Sequence, residues 1–87
     1  MYAVVVNVTI HDRNAATEAL GEQVVPRLSQ ARGFVAGYWV ALPDGKGTSV
    51  AVFDSQDAAR TVAEQLQPGG EFVTFESVEV GEVVASA

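Results

Sequence analysis

Four side chains offer the clearest chemistry in this sequence: Asn7, His11, Tyr38 and Trp39. Asn7 lies in an otherwise apolar run, where an amide left without partners would cost about 1–3 kcal/mol. It could hydrogen-bond a substrate carbonyl or enolate, position dioxygen, or bond neighbouring side chains. Histidine is the side chain that most readily changes charge near neutral pH, so His11 is a candidate general base. Its position beside Asp12, after the first apolar run, also fits an exposed loop residue.

Tyr38 and Trp39 are adjacent, so in a strand their side chains point to opposite faces, and only one of them can share a cavity with Asn7. The register expected for the first two strands favours Trp39. An indole supplies a flat apolar wall and one N–H donor, which suits an aromatic ligand. Alternatively, the Trp39 ring could fill the core of a dimer without contacting a ligand. Tyr38 and His11 are the weaker candidates for handling protons.

Composition narrows the possible function classes. The chain has 87 residues, 48% of them hydrophobic and 18% charged, as expected for one packed domain. Eleven acidic against five basic residues give a net charge of −6, so we expect neither nucleic acid nor a membrane as partner. With no cysteine and a single histidine, thiolate and common zinc sites are excluded, and we expect no metal and no cofactor. The apolar runs are too short to span a bilayer, and we expect a cytoplasmic protein.

The spacing of apolar residues predicts the element order βαββαβ. Strands are predicted at residues 2–10, 34–42, 48–53 and 72–85, with a tight turn at 43–47. The first helix is predicted from a cap at Asp12 or Asn14 to about Gln30, and the second over about residues 58–67. Two βαβ units with right-handed crossovers give one α+β, ferredoxin-like domain over residues 1–87. Its four strands form an antiparallel sheet with both helices on one face.

Individual residues predict local irregularities in these elements. Pro26 removes a backbone donor within the first helix, so we expect a kink or unwinding near residues 22–25. Gly33 can adopt the left-handed conformation that ends this element. Pro68 to Gly70 are expected to stop the second helix, and Gly81 is expected to form a β-bulge in the last strand.

Both faces of the predicted sheet are apolar, whereas two helices cover only one. One alternation groups Val4, Val6, Val8, Phe34, Tyr38, Val40, Val50, Val52, Phe72 and Val78. The other groups Val5, Val35, Trp39, Ala41, Ala51, Phe53, Val73 and Phe75. At about 25 cal/mol per Å² of apolar surface, exposing either group would forgo a sizeable part of the stability of a small domain. We therefore predict a homodimer in which two sheets pack face to face across a two-fold axis and close into a barrel.

Two sequence passages carry a resemblance to a known family. Gly33-Phe34-Val35 opens the second strand, and Val52-Phe53-Asp54-Ser55 leads through to Ala58-Ala59 of the second helix. In a chain of this element order, they resemble the dimeric α/β-barrel superfamily and, within it, the antibiotic biosynthesis monooxygenase-like group. The resemblance covers nearly the whole chain and rests on fold and hydrophobic spacing.

The resemblance implies a small apolar pocket between sheet and helices and a cofactor-independent monooxygenase acting on a small aromatic or polyketide-type substrate. Several members of the group place an asparagine on the first strand, which would be Asn7. The haem-degrading branch also uses a tryptophan and a histidine associated with the second helix, and residues 58–67 contain neither. Two alternatives remain open: a non-catalytic small-molecule-binding or structural homodimer, and a regulatory ligand-binding domain of the same topology.

Overall fold

The computed structural model describes residues 1–66 and 72–87, and its elements follow the predicted order with the first helix divided. The strands are β1 (Tyr2–Ile10), β2 (Phe34–Leu42), β3 (Lys46–Phe53) and β4 (Val73–Glu82). The helices are α1 (Arg13–Ala19), α2 (Val25–Ser29) and α3 (Gln56–Gln65), and a π-helical segment, Leu20–Val24, joins α1 to α2. The predicted stop at residues 68–70 lies outside the described residues. None of the described helices is long and apolar enough to cross a membrane.

The four strands form one antiparallel sheet in the order β2-β3-β1-β4, as the predicted ferredoxin-like fold requires. Val4, Val6 and Phe53 of the two central strands are buried against the helices. Helix α3 contributes Ala59 and Val62 to this core, and Phe34 meets Phe53 edge to face with ring centroids 5.8 Å apart. We call this side of the sheet the helix-covered face and the opposite side the open face.

Side-chain caps begin both helical stretches, and Asp12 is one of the two caps predicted for the first. The Asp12 carboxylate accepts a hydrogen bond from the Ala15 backbone N–H at 3.1 Å, and the Ser55 hydroxyl accepts one from Ala58 at 3.2 Å. Gly33 has a φ of +81°, the left-handed conformation predicted for it. A Cβ at Gly33 would lie 2.5 Å from a carboxylate oxygen of Asp54, so the close approach of these loops also requires glycine.

The break predicted at Pro26 takes the form of a π-helical segment. Because proline has no N–H, it cannot make the bond to the carbonyl four residues earlier that an α-helix needs. The Val25 N–H bonds instead to the Leu20 carbonyl, five residues earlier. The widened segment, Leu20–Val24, begins slightly before the predicted stretch. Helix α2 then starts with Pro26 in its first turn, where the missing donor is tolerated.

The β-bulge predicted at Gly81 is misplaced. Gly81 pairs in register with Ala3, and the register between β1 and β4 shifts five residues earlier. Asn7 faces Ser77 there while Val8 faces Phe75, which leaves Glu76 as the extra residue. The sequence of β4 explains this position of the bulge, because its apolar residues change from odd numbers (73 and 75) to even numbers (78 and 80).

The predicted grouping of side chains by face is also wrong across strands. Val4 pairs with Ala51, and Val6 pairs with Ser49, which in turn pairs with Trp39. Val4 therefore shares its face with Ala51 and Trp39 rather than with Tyr38 and Val50. Because both alternations are apolar, hydrophobicity alone cannot assign faces. The short turn at Pro43–Gly45 sets the register by pairing Leu42 with Lys46.

Candidate functional site

A cleft of about 700 Å³ lies between the helix-covered face and the helices, where the sequence predicted an apolar pocket. Its volume is in the range of sites that bind small organic molecules. Its walls are mostly apolar and include Val4, Val6, Leu20, Val24, Trp39 and Phe75. The cleft is partly open to solvent, so a ligand can enter without unfolding of a strand or helix.

The helical stretch from α1 to α2 supplies one long wall of the cleft. Most of its cleft-lining residues recur every three or four positions. They are Arg13, Ala16, Thr17, Ala19, Leu20, Gln23, Val24, Arg27 and Leu28, with Ala31 just after α2. The π-helical segment before Pro26 carries three of these residues and therefore lies against the cleft. Such segments occur frequently at functional sites.

Trp39 forms a flat aromatic surface in this cleft. A Cβ built on Gly37 would lie 2.9 Å from Cη2 and 3.0 Å from Cζ3 of the indole, and 3.3 Å from Cζ of Phe34. The six-membered ring of Trp39 therefore lies back along β2, over Gly37 and toward Phe34. Only glycine at position 37 leaves the indole this room.

The polar groups of the cleft come from a few residues that the sequence-based prediction missed. They are Arg13, Thr17, Gln23, Arg27, Ser49 and Gln65. Gln23 and Arg27 lie beside Val24 and Leu28 of the apolar stripe of the helix. This position was the sequence signal that could have identified them as cleft residues. Among the described cleft residues, the charged side chains are Arg13 and Arg27, and there is no histidine, tyrosine, lysine or carboxylate. These groups can orient a ligand and stabilise negative charge on it.

Asn7, Tyr38 and His11 do not reach this cleft, because they lie on the open face. Asn7 pairs with Thr48 on β3, and its Nδ2 donates a hydrogen bond to the Ser77 hydroxyl at 3.0 Å. The Tyr38 side chain is 67% exposed. The cavity predicted to hold both Asn7 and Trp39 is therefore wrong, since the two side chains point to opposite sides of the sheet.

A row of polar contacts follows β1 and β4 along the open face. His11 Nε2 shares a hydrogen bond of 2.7 Å with the Thr74 hydroxyl. The Thr9 hydroxyl donates to Glu76 at 2.7 Å and accepts from Lys46 Nζ at 3.2 Å. These contacts are exposed in the single chain. These hydrogen bonds link exposed side chains to one another, and the residues that make them do not enclose a site.

The β2 and β3 side of the open face is apolar instead. We call it the apolar patch, defined by Tyr38, Val40, Leu42, Val50 and Val52 together with Val5 of the neighbouring strand β1. Tyr38, Val40 and Leu42 are exposed at 67%, 48% and 44%. Within residues 1–66 and 72–87, no three histidine or acidic side chains are grouped so as to hold a metal ion.

Comparison with known proteins places this geometry in a structural context. No protein-family model and no curated protein sequence matches the chain. Among solved structures, SnoaB, a cofactor-independent oxygenase from Streptomyces nogalater, is similar with a TM-score of 0.73 at 20% identity, covering 98% of this chain and 94% of that one. A variant of SnoaB with one asparagine changed to alanine gives 0.70 at 21% identity, covering 98% and 95%. A dimeric ferredoxin-like protein from an uncultured marine organism gives 0.62 at 17% identity, covering 100% and 98%.

These likenesses extend over the whole topology of the described chain and identify its fold. The chain has the ferredoxin-like fold, which confirms the fold predicted from the sequence.

Proposed function

We propose that the cleft binds a small aromatic or polyketide-type substrate and that the protein is a cofactor-independent oxygenase of that substrate. The observation that carries the proposal is the cleft itself, with about 700 Å³ of mostly apolar space and one flat indole wall. SnoaB, an oxygenase that works without a cofactor, shares the fold over 98% of this chain. Fold does not fix function, so the site must carry the argument.

The proposed reaction starts at a CH₂ group activated by adjacent aromatic rings. The substrate loses a proton to give a delocalised carbanion, which transfers electrons to dioxygen, and a carbon–oxygen bond forms to give a hydroperoxide. Loss of water then leaves a carbonyl, so one oxygen atom enters the product and the other leaves as water. The substrate itself supplies all the electrons. The chain contributes orientation and electrostatic stabilisation.

Particular cleft residues support these steps. Trp39 offers a stacking surface that would fix the plane of the substrate. Arg27 and Gln23 would stabilise negative charge as it develops on the substrate oxygen. Since the described cleft residues include no base, the first proton would leave to water at the open side of the cleft. Asn7, Tyr38 and His11 then act outside this cleft.

We also propose that the protein is a homodimer that pairs its open faces. The apolar patch is a surface of the kind that marks protein interfaces. The solved ferredoxin-like protein that shares this fold is dimeric. In such a pair, Asn7, Tyr38 and His11 would lie at or between the two sheets, where their polar groups would contribute to pairing rather than to the cleft.

Oxygen consumption with an anthrone-like substrate tests the proposed activity. We expect substrate-dependent oxygen uptake by the wild type and a large loss in Trp39→Leu, since leucine removes the aromatic wall. Asn7→Ala is the matched control, and its uptake should equal that of the wild type because Asn7 lies across the sheet. Absence of uptake by the wild type would contradict an oxygenase.

A second candidate function is binding without catalysis. The observation that favours it is the lack of a histidine, carboxylate, tyrosine or lysine among the described cleft residues. A non-catalytic protein would bind the same aromatic compound, measured by quenching of Trp39 fluorescence, and consume no oxygen. Oxygen uptake above the rate of the free substrate would exclude this candidate.

A further inference from the structure

The charge of the cleft is opposite to the charge of the molecule. Acidic residues outnumber basic ones eleven to five in the chain. The described cleft residues nevertheless include Arg13 and Arg27 and no carboxylate. Glu18 and Glu22 belong to the same helical stretch but are absent from its cleft-lining stripe. The described part of the cleft therefore offers positive charge to an anion, although the protein has a net charge of −6.

The two arginines lie too far apart to hold one small group together. Fourteen positions separate them, and at about 1.5 Å per helical residue this is about 21 Å along the helix. Arg27 and Trp39 line the same cleft, and α2, which carries Arg27, contacts β2, which carries Trp39. Gln23 lies one turn before Arg27 and also lines the cleft, so the amide and the guanidinium are neighbours on one helical face.

We propose that the cleft selects an aromatic oxyanion, a ligand whose ring stacks on Trp39 and whose acidic oxygen binds Arg27 with support from Gln23. This deepens the proposed function and rests on it. A guanidinium presents a planar fork of N–H donors that suits a carboxylate, sulfonate or enolate oxygen.

Two fluorescent probes with the same ring system test the charge preference. Anilinonaphthalene sulfonate carries an anionic group, and phenylnaphthylamine lacks it. Titration of the wild type and Arg27→Gln with each probe gives four dissociation constants. We expect Arg27→Gln to weaken the sulfonate probe about tenfold, as for loss of one charge-assisted contact, and the neutral probe by less than about twofold.

Arg60→Gln is the matched control, because Arg60 is exposed on α3, outside the cleft, and its loss changes the net charge by the same amount. We expect both probes to bind Arg60→Gln as they bind the wild type. Arg27→Lys should recover part of the sulfonate affinity, since it restores the charge without the planar fork.

Two outcomes would overturn the inference. Equal weakening of both probes by Arg27→Gln would mean that this arginine only packs against the ring. An equal loss of sulfonate binding in Arg60→Gln would mean that net charge, rather than Arg27, attracts the anion. Failure of the wild type to bind either probe is a separate result, which would contradict the proposed aromatic-binding cleft itself.

Discussion

Trp39 and Gly37 form the most specific side-chain arrangement of the cleft. The indole occupies space that any other residue at position 37 would fill, with the closest approach at 2.9 Å from a Cβ built there. Both residues lie on β2 and point to the helix-covered face, where Gly37 pairs with Ala51 and Trp39 with Ser49. The orientation of the Trp39 ring therefore depends on the lack of a side chain at position 37.

Substituting Gly37→Ala should displace the indole. Because the chain has a single tryptophan, its fluorescence reports on that ring alone. We expect a shifted Trp39 emission maximum and weaker binding of an aromatic probe. Gly21→Ala is the control, since a Cβ at Gly21 meets nothing within 4 Å. Unchanged emission and affinity in Gly37→Ala would contradict the placement of the ring.

The lack of a side-chain base among the described cleft residues predicts a particular pH dependence of oxygen uptake. The described cleft residues include no histidine, carboxylate, lysine or tyrosine that could take the proton from the substrate. The rate should therefore rise with pH through the ionisation of the substrate and follow that ionisation when ring substituents change it. Profiles measured with two substrates of different acidity check this. A common midpoint for both substrates would indicate a protein base instead.

At the level of residues, the sequence singled out Trp39, which lines the cleft, but not Arg27 or Gln23, which line it too. Trp39 was recognisable because an indole in a strand is large and distinctive. Arg27 and Gln23 were not, because polar residues beside a helical apolar stripe are usually solvated. Asn7 was assigned to the wrong side of the sheet, since its role depended on a register that alternation cannot give when both faces are apolar.

Glu76 is the irregularity that positions the end of β4 nearest the cleft. As the extra residue opposite Asn7 and Val8, it lets Phe75 and Val73 face the helices while Val80 does the same further along the strand. Without this extra residue, a regular alternation could turn the apolar side chains of only one half of β4 toward the helices. The bulge therefore brings Phe75 into the cleft.

Deleting Glu76 should turn Phe75 and Val73 toward the open face or break the pairing of β4. We expect a loss of about 3 kcal/mol or more in the free energy of unfolding, from the burial lost by two apolar side chains. Glu76→Ala keeps the residue count and loses only an exposed hydrogen bond to Thr9, so about 1 kcal/mol or less is expected. Urea unfolding measures both variants. Equal stability of the two would show that the bulge does not set the register.

At the level of elements, most of the fold was readable from the chain. Strand β2 matches its predicted bounds, and Asp12 and Ser55 act as caps because their side chains can accept from the first helical N–H groups. Pro26 predicted the break in the helix, while its π-helical form depends on how the stretch packs on the sheet. The bulge was placed at Gly81 by residue type, although the change of parity after Phe75 was the better signal.

At the scale of the whole molecule, the open face is the surface on which the proposed dimer depends. All described helices pack on the other side, and the apolar patch stays uncovered in a single chain. Burial of this patch by a second copy would remove large side chains from water. The polar row along β1 and β4 would then set the orientation of the two copies through hydrogen bonds.

Val50→Glu should separate the proposed dimer. Val50 lies between Val5 and Tyr38 in the apolar patch, so a carboxylate there would be buried without a partner against the second sheet. Sedimentation velocity over a range of concentrations should show a dimeric wild type and a monomeric variant. Thr61→Glu, which adds the same charge on the exposed side of α3, should stay dimeric. A wild type that is monomeric at every concentration would contradict the proposed pairing.

The measurement that tests the functional account most directly is an NMR search for contacts between the methyl-labelled protein and bound anilinonaphthalene sulfonate. The account predicts nuclear Overhauser effects from the naphthalene protons to the methyl groups of Leu20 and Val24 and to the Trp39 ring. Effects confined to the methyl groups of Val5, Val50 and Val52 would place the ligand on the open face and contradict it.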